Sequence, residues 1–353
     1  MSAGPAGDVT RSFDIPDSET GDRTASRPPT IPVRRFLSTE DGVNIEAVYD
    51  PGGVVYNASH LLSEDRGKPL ESRSETATGR AETAAGRAET VAGRPATAAG
   101  RPEAVSGRSA TTAGRPAIVV AHGFTGGVDR PHVRRVVAAL GRYGSVVTFS
   151  FRGHGRSGGR STVGDREVLD LAAAVRWARD LGHERVATVG FSMGGSVVLR
   201  HAALPDAGTD AVVSVSAPAR WYYRGTAPMR RLHWLVTRPA GRLVGRYGFG
   251  TRIHHREWDP VPSSPVESVP LIAPTPLLIV HGDRDGYFPV DHPRMLAQAA
   301  GGHAELWLEE GMGHAEHAAT GELLDRMGEW LVERGLGGPV RPRFLHGTDS
   351  PVA

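Results

Sequence analysis

The chain has 353 residues, of which 39% are hydrophobic and 23% charged, and it has no cysteine. A formal net charge of +2 gives no global basic field for nucleic acid. The absence of cysteine excludes a disulfide framework and any thiolate metal site, while the apolar fraction suffices for one substantial α/β core.

Residues 1–30 are rich in Ser, Thr, Pro, Asp and Gly and read as a disordered leader. No apolar h-region follows Met1, and no window holds the roughly 18 consecutive apolar residues of a membrane span, so a cytoplasmic location is expected. Residues 34–49 alternate around Glu40-Asp41-Gly42, which predicts a β-hairpin with Asp-Gly as its turn. From Glu75 to Pro116 the chain repeats near-identical seven-residue units, each with glycine before Arg80, Arg87, Arg94, Arg101, Arg108 or Arg115. The period invites a coiled coil. The units lack two large apolar heptad positions, however, and each recurring glycine would cost a helix about 1 kcal/mol. A flexible, solvated insertion over 53–116 is expected between strands two and three. It reads as a neutral repeat expansion rather than a tether, with weak binding to anionic surfaces left open.

Ala117-Ile118-Val119-Val120-Ala121 is a buried-type strand that runs into His122-Gly123-Phe124-Thr125-Gly126-Gly127. A backbone N–H in such a loop can face a substrate carbonyl. A helix over 131–142 (apolar set Val133, Val136, Val137, Leu140) and a strand over 145–151 follow. The amphipathic stretch 164–181 is a second helix, with Glu167 and Asp170 expected on its solvated face. Then comes the strongest signal: a strand over 185–189, Gly190-Phe191-Ser192-Met193-Gly194-Gly195, and a helix over 196–203. A serine on that sharp strand-to-helix turn is a nucleophile elbow, with its hydroxyl above the sheet edge and a helix N-terminus behind it. Phe124 and Met193 then supply the N–H pair of an oxyanion hole.

After a strand over 211–216 the strand-helix alternation breaks. The segment 217–273 holds Trp221, Tyr222, Tyr223, Met229, Leu232 and Trp234, together with nine arginines from Arg220 to Arg256. The arginines read as a solvated face, in preference to a site for acidic substrates or a membrane surface. The strand 276–282 ends at Asp283-Arg284-Asp285, and either aspartate could orient a histidine, the other being a turn or capping residue. The strand 304–309 leads to Gly311-Met312-Gly313-His314, where His314 rather than His317 is the natural general base. A helix over 320–334 closes the pattern, with Leu323, Leu324, Met327, Trp330 and Leu331 as its buried stripe. Strands alternating with helices imply a parallel sheet.

With HGFTG at 122–126, RGHG at 152–155, GFSMG at 190–194, HGDRD at 281–285 and GH at 313–314, the chain resembles the α/β-hydrolase superfamily over 31–335. Its esterase, feruloyl-esterase and S33-peptidase-like members are the most similar. The resemblance implies an α/β fold: a mostly parallel eight-stranded sheet, helices on both faces, and a helical cap over 217–273 inserted after strand six. Residues 336–353 are left as a flexible tail. The family's HGxxDxxxP pattern places the acid at Asp285, with Pro289 completing it. The expected catalytic set is Ser192, Asp285 and His314, the oxyanion donors are Phe124 and Met193, and Trp221, Tyr222 and Trp234 are the substrate-binding aromatics. No cofactor and no metal are expected. The implied function is hydrolysis of a small-molecule carboxylic ester through an acyl-enzyme. S33-type aminopeptidase, thioesterase, acyltransferase and cofactor-free peroxidase chemistry are alternatives on the same triad, and a non-catalytic binding or scaffold protein is an alternative of another class.

Overall fold

The computed structural model describes residues 30–53 and 115–337. Most of the expected leader, repeat insertion and C-terminal tail lie outside the described residues. Among the described residues, eight strands form one sheet: β1 (Val33–Ser38), β2 (Asn44–Asp50), β3 (Ala117–Ala121), β4 (Ser145–Phe149), β5 (Val186–Phe191), β6 (Ala211–Val215), β7 (Leu277–Gly282) and β8 (Ala304–Glu309). Their spatial order is β1-β2-β4-β3-β5-β6-β7-β8. β1 and β2 are antiparallel, and every pair from β4 to β8 is parallel.

Strands β3, β4, β5, β6 and β7 are buried at every position. Such strands read as unbroken apolar runs because helices cover both faces of a parallel sheet. On one face lie α2 (Glu167–Asp180), α3 (Met193–Ala202) and α7 (Asp291–Ala299), which contribute Leu171, Val197 and Leu296 to the core. On the other lie α1 (Pro131–Leu140) and α9 (Gly321–Arg334), with Val136, Leu140, Leu324 and Met327. Between β6 and β7 the chain leaves the sheet to form α4 (Ala227–Thr237), α5 (Pro239–Gly248) and the short α6 (Pro265–Ser268). A four-residue turn, α8 (Ala315–Ala318), follows β8. No helix among the described residues is long and apolar enough to cross a membrane.

Two expectations are corrected. Glu167 and Asp170 do not form a solvated face, since both are fully buried. Glu167 accepts hydrogen bonds from the N–H groups of Thr162, Val163 and Gly164 and from the hydroxyls of Ser161 and Thr162. Asp170 accepts from Arg152 Nε at 3.0 Å, Arg152 Nη2 at 2.8 Å and the Arg152 backbone N–H at 2.8 Å. Loop donors are what make a buried carboxylate tolerable. The same Arg152 grips Asp41 in the β1–β2 turn at 2.7 and 3.0 Å, and holds that carboxyl down at about 2. The second correction concerns the end of the repeat insertion. Pro116 is buried, the Arg115 guanidinium donates to Gly141 O, and the Arg115 carbonyl accepts from His183.

Without Asp170 the buried Nε and backbone N–H of Arg152 lose their acceptor, and each unsatisfied donor costs about 1–3 kcal/mol, although Asp41 still faces the guanidinium. Asp170→Ala should therefore lower the melting temperature by many degrees. Glu329→Ala, on the exposed side of α9, should stay within about 0.5 kcal/mol of the parent in denaturant titrations.

Candidate active site

Ser192 sits between β5 and α3 with φ 52° and ψ −113°. A non-glycine residue there is strained by about 1–3 kcal/mol and persists only where its surroundings enforce it. The enforcement is steric. A Cβ on Gly190 would run into the Gly194 carbonyl, and one on Gly194 would run into the Ala121 carbonyl of β3. The turn is further tied by Ser192 N–H to Val215 O at 2.8 Å.

The structure brings Ser192, His314 and Asp285 into one chain of hydrogen bonds. The Ser192 hydroxyl lies 2.9 Å from His314 Nε2, and His314 Nδ1 lies 2.7 Å from Asp285 Oδ2. Asp285 Oδ1 accepts from the N–H groups of Tyr287 at 2.8 Å and Phe288 at 3.1 Å. An acceptor-only Asp285 fixes the proton of His314 on Nδ1, leaving Nε2 to accept from the serine. Burial pushes the Asp285 carboxyl up, but the bonds from His314 and the two N–H groups outweigh it, so it lies below its ordinary range. Tyr287 stacks on the His314 ring at 4.3 Å. Asp283 instead accepts from Gly311 N–H at 2.6 Å, as a turn residue does. His317 is turned away, against His132 at 3.9 Å between ring centres.

The loop after β3 is fastened at three points. Glu316, buried on α8, accepts the Gly123 N–H at 2.9 Å. His122 Nε2 accepts Phe151 N–H at 3.1 Å, so its Nδ1 carries the proton and donates to Gly123 O at 2.6 Å. His154 Nε2 accepts Thr125 N–H at 3.3 Å, and its Nδ1 donates to Arg152 O at 3.0 Å. No protein acceptor among the described residues takes the Phe124 N–H. Met193 is the first residue of α3, where N–H groups have no intrahelical partner. Glu316 was missed in the sequence. Its only signal there is a carboxylate two residues after His314 in a short segment.

Ser192, Phe124 and Met193 open on a cavity of about 350 Å³ under the segment 217–273. Trp221, Tyr222 and Tyr223 line it, with Met229, Leu232 and Val236 from α4. Trp221 and Tyr222 pack on Trp258 at 5.1 and 5.5 Å. Trp234 is a correction. It is 47% exposed and borders a separate surface depression with Ala227, Arg230 and Arg231. The helical period explains this: 229, 232, 233 and 236 share the inward face of α4, while 227, 230, 231 and 234 share the outward one. Among the described residues, no group of His, Asp or Glu has the arrangement of a metal site.

Burial lowers both loop histidines, His122 well below the ordinary value and His154 to about 4. In the unfolded chain they titrate near 6.5. As pH falls, the unfolded chain takes up these protons first, so stability should drop between about 6.5 and about 4. His154→Gln keeps an acceptor for Thr125 and removes one titrating group, so melting curves across that window should show a shallower loss.

Comparison with known proteins agrees with this fold. Residues 116–238 match the family described as alpha/beta hydrolase fold. A monoacylglycerol lipase of Mycolicibacterium smegmatis is 26% identical over 258 residues, covering 61% of this chain and 87% of the lipase. The structure of the Pyrococcus furiosus esterase Pf2001 superimposes with a TM-score of 0.56 at 21% identity, covering 87% of this chain and 93% of the esterase. The α/β-hydrolase GrgF of Penicillium superimposes with a TM-score of 0.53 at 16% identity, covering 86% of this chain and 99% of GrgF. The chain has the α/β-hydrolase fold, and the proteins it resembles are hydrolases of that fold.

Proposed function

We propose that the chain is a serine esterase that cleaves carboxylic esters through an acyl-enzyme. The observation that carries this reading is the Ser192–His314–Asp285 hydrogen-bond chain opening on a cavity that holds an apolar, aromatic wall of Trp221, Tyr222, Met229 and Leu232. Ser192 Oγ attacks the ester carbonyl as His314 Nε2 takes its proton. Asp285 holds the imidazole in the required tautomer and stabilises the imidazolium. The N–H groups of Phe124 and Met193 donate to the tetrahedral oxyanion, and removal of one such donor costs other enzymes about 10²–10³ in kcat. His314 then protonates the leaving alcohol oxygen. Water, deprotonated by His314, attacks the acyl carbon and releases Ser192 and the acid.

The similarity to a monoacylglycerol lipase supports an ester with an apolar acyl chain. So does the lining of Trp221, Tyr222, Met229 and Leu232. A panel of p-nitrophenyl esters, thioesters and aminoacyl p-nitroanilides tests the reading. Turnover should be highest on the oxygen esters and should fall by roughly 10⁴-fold or more in Ser192→Ala. Dominant cleavage of the anilides would replace the esterase reading with a peptidase one.

Asp285→Asn keeps the shape of the acid but loses its preference for a proton on His314 Nδ1. It should lower kcat by roughly 10³–10⁴ with little change in melting temperature. A kcat within tenfold of the parent would remove Asp285 from the triad.

A further inference from the structure

The segment 217–256 contains Arg220, Arg224, Arg230, Arg231, Arg238, Arg242, Arg246, Arg252 and Arg256, three histidines, and no aspartate or glutamate. Four of these arginines (Arg220, Arg224, Arg242 and Arg256) line the same cavity as Ser192. The lining includes one carboxylate, that of Glu257, which is exposed. Elsewhere the fold pairs its arginines with carboxylates, as in Arg152–Asp170, Arg179–Asp210 and Arg326–Glu309. The cavity arginines are different. Among the described residues, Arg220 reaches Met295 Sδ at 3.0 Å, Arg224 reaches His233 Nδ1 at 3.3 Å, and Arg242 donates to the carbonyls of Val236 and Thr237. None of these partners is an anion.

Arg220, Arg224 and Arg256 are exposed and Arg242 is half-buried, and like charges gathered around one cleft repel one another and focus a positive potential into it. His233 shows the sign of that field: burial first, and then Arg224, holds it below its ordinary range. An anion in the cavity would relieve the repulsion, and the planar guanidinium fork suits a carboxylate or phosphate. The rest of the lining mixes the imidazoles of His233, His254 and His255 with Trp221, Tyr222, Met229, Leu232 and Trp258, and that apolar part calls for a hydrocarbon segment between the anion and the scissile carbonyl.

We propose that the preferred substrates are amphipathic esters carrying a carboxylate or phosphate beyond an apolar segment, recognised by the cavity arginines Arg220, Arg224, Arg242 and Arg256. The proposal rests on the esterase reading of Ser192 and adds the charge class of its substrate. It revises the reading of these arginines as a plain solvated face.

The test compares the mono-p-nitrophenyl esters of adipic and suberic acid with p-nitrophenyl hexanoate and octanoate. These pairs match in chain length and differ in one terminal carboxylate. At low ionic strength the anionic ester should be preferred by about tenfold or more in kcat/KM, the size expected of hydrogen bonds to a charged group. Salt near 0.5 M should shrink the preference by screening. An Arg224→Gln/Arg256→Gln double variant should bring it towards one, while Arg176→Gln, an exposed position of α2 away from the cavity, should leave it unchanged. A phosphate-terminated ester separates the two sources: a greater preference than for the carboxylate assigns phosphate, and a smaller one assigns carboxylate. Equal or better turnover of the neutral esters overturns the proposal. So does loss of the preference combined with arginine-dependent co-sedimentation on phosphatidylglycerol vesicles, which would assign these arginines to a lipid surface. Binding of each ester to Ser192→Ala, read by quenching of tryptophan fluorescence, keeps the two readings apart. If no ester is turned over, tighter binding of the anionic member still supports the charge assignment, and equal binding overturns it.

Discussion

A strained serine needs neighbours without side chains. Ser192 holds a left-handed backbone because the β5–α3 turn is pressed against the end of β3, and the pressing surfaces are the bare Cα atoms of Gly190 and Gly194. One methyl group at either place would meet a backbone carbonyl, which has no rotamer to escape into. From that approach follow the exposed hydroxyl, the N-terminus of α3 behind it, and the closeness of Met193 to the 122–126 loop. The strain is offset by a sheet buried on both faces, whose strands cannot shift without opening the core.

Buried polar groups hold the loops around that turn. Glu316 joins the His314 segment to Gly123, His154 holds Thr125, and Ser216 Oγ accepts the Ala315 N–H at 3.0 Å. Arg152 ties Asp41, Asp170 and the 152–155 loop into one unit, and Glu167 gathers the N–H groups of 162–164 beside the cavity. An unsatisfied buried donor costs about 1–3 kcal/mol, so each loop has a preferred position rather than a range of them. Catalysis by positioned dipoles depends on that rigidity.

Much of this architecture was legible in the residues. Apolar runs marked the parallel strands, the Asp-Gly turn marked the hairpin, and Ser192, Asp285 and His314 follow strand ends in chain order. Less legible was what a polar residue on a helix faces. Hydrophobic periodicity separates apolar from polar stripes, but the polar stripe of α2 lies against donor-rich loops instead of water, so Glu167 and Asp170 are buried. Trp234 failed for a related reason. Its chemistry suits a pocket, but its place in the helical period of α4 turns it outwards, and only the position of that helix over the cavity reveals which face is inward. Glu316 is visible only in three dimensions, because its partner Gly123 is 193 residues away.

The central claim is that Ser192 is an activated nucleophile, and covalent labelling tests it without assuming a substrate. Intact-protein and peptide mass spectrometry after brief exposure to a fluorophosphonate should show a single adduct on the peptide holding Ser192. Ser192→Ala should give none, and His314→Ala should give strongly slowed labelling while remaining folded. A folded wild-type protein that stays unlabelled, or that labels equally fast without His314, would contradict the assignment.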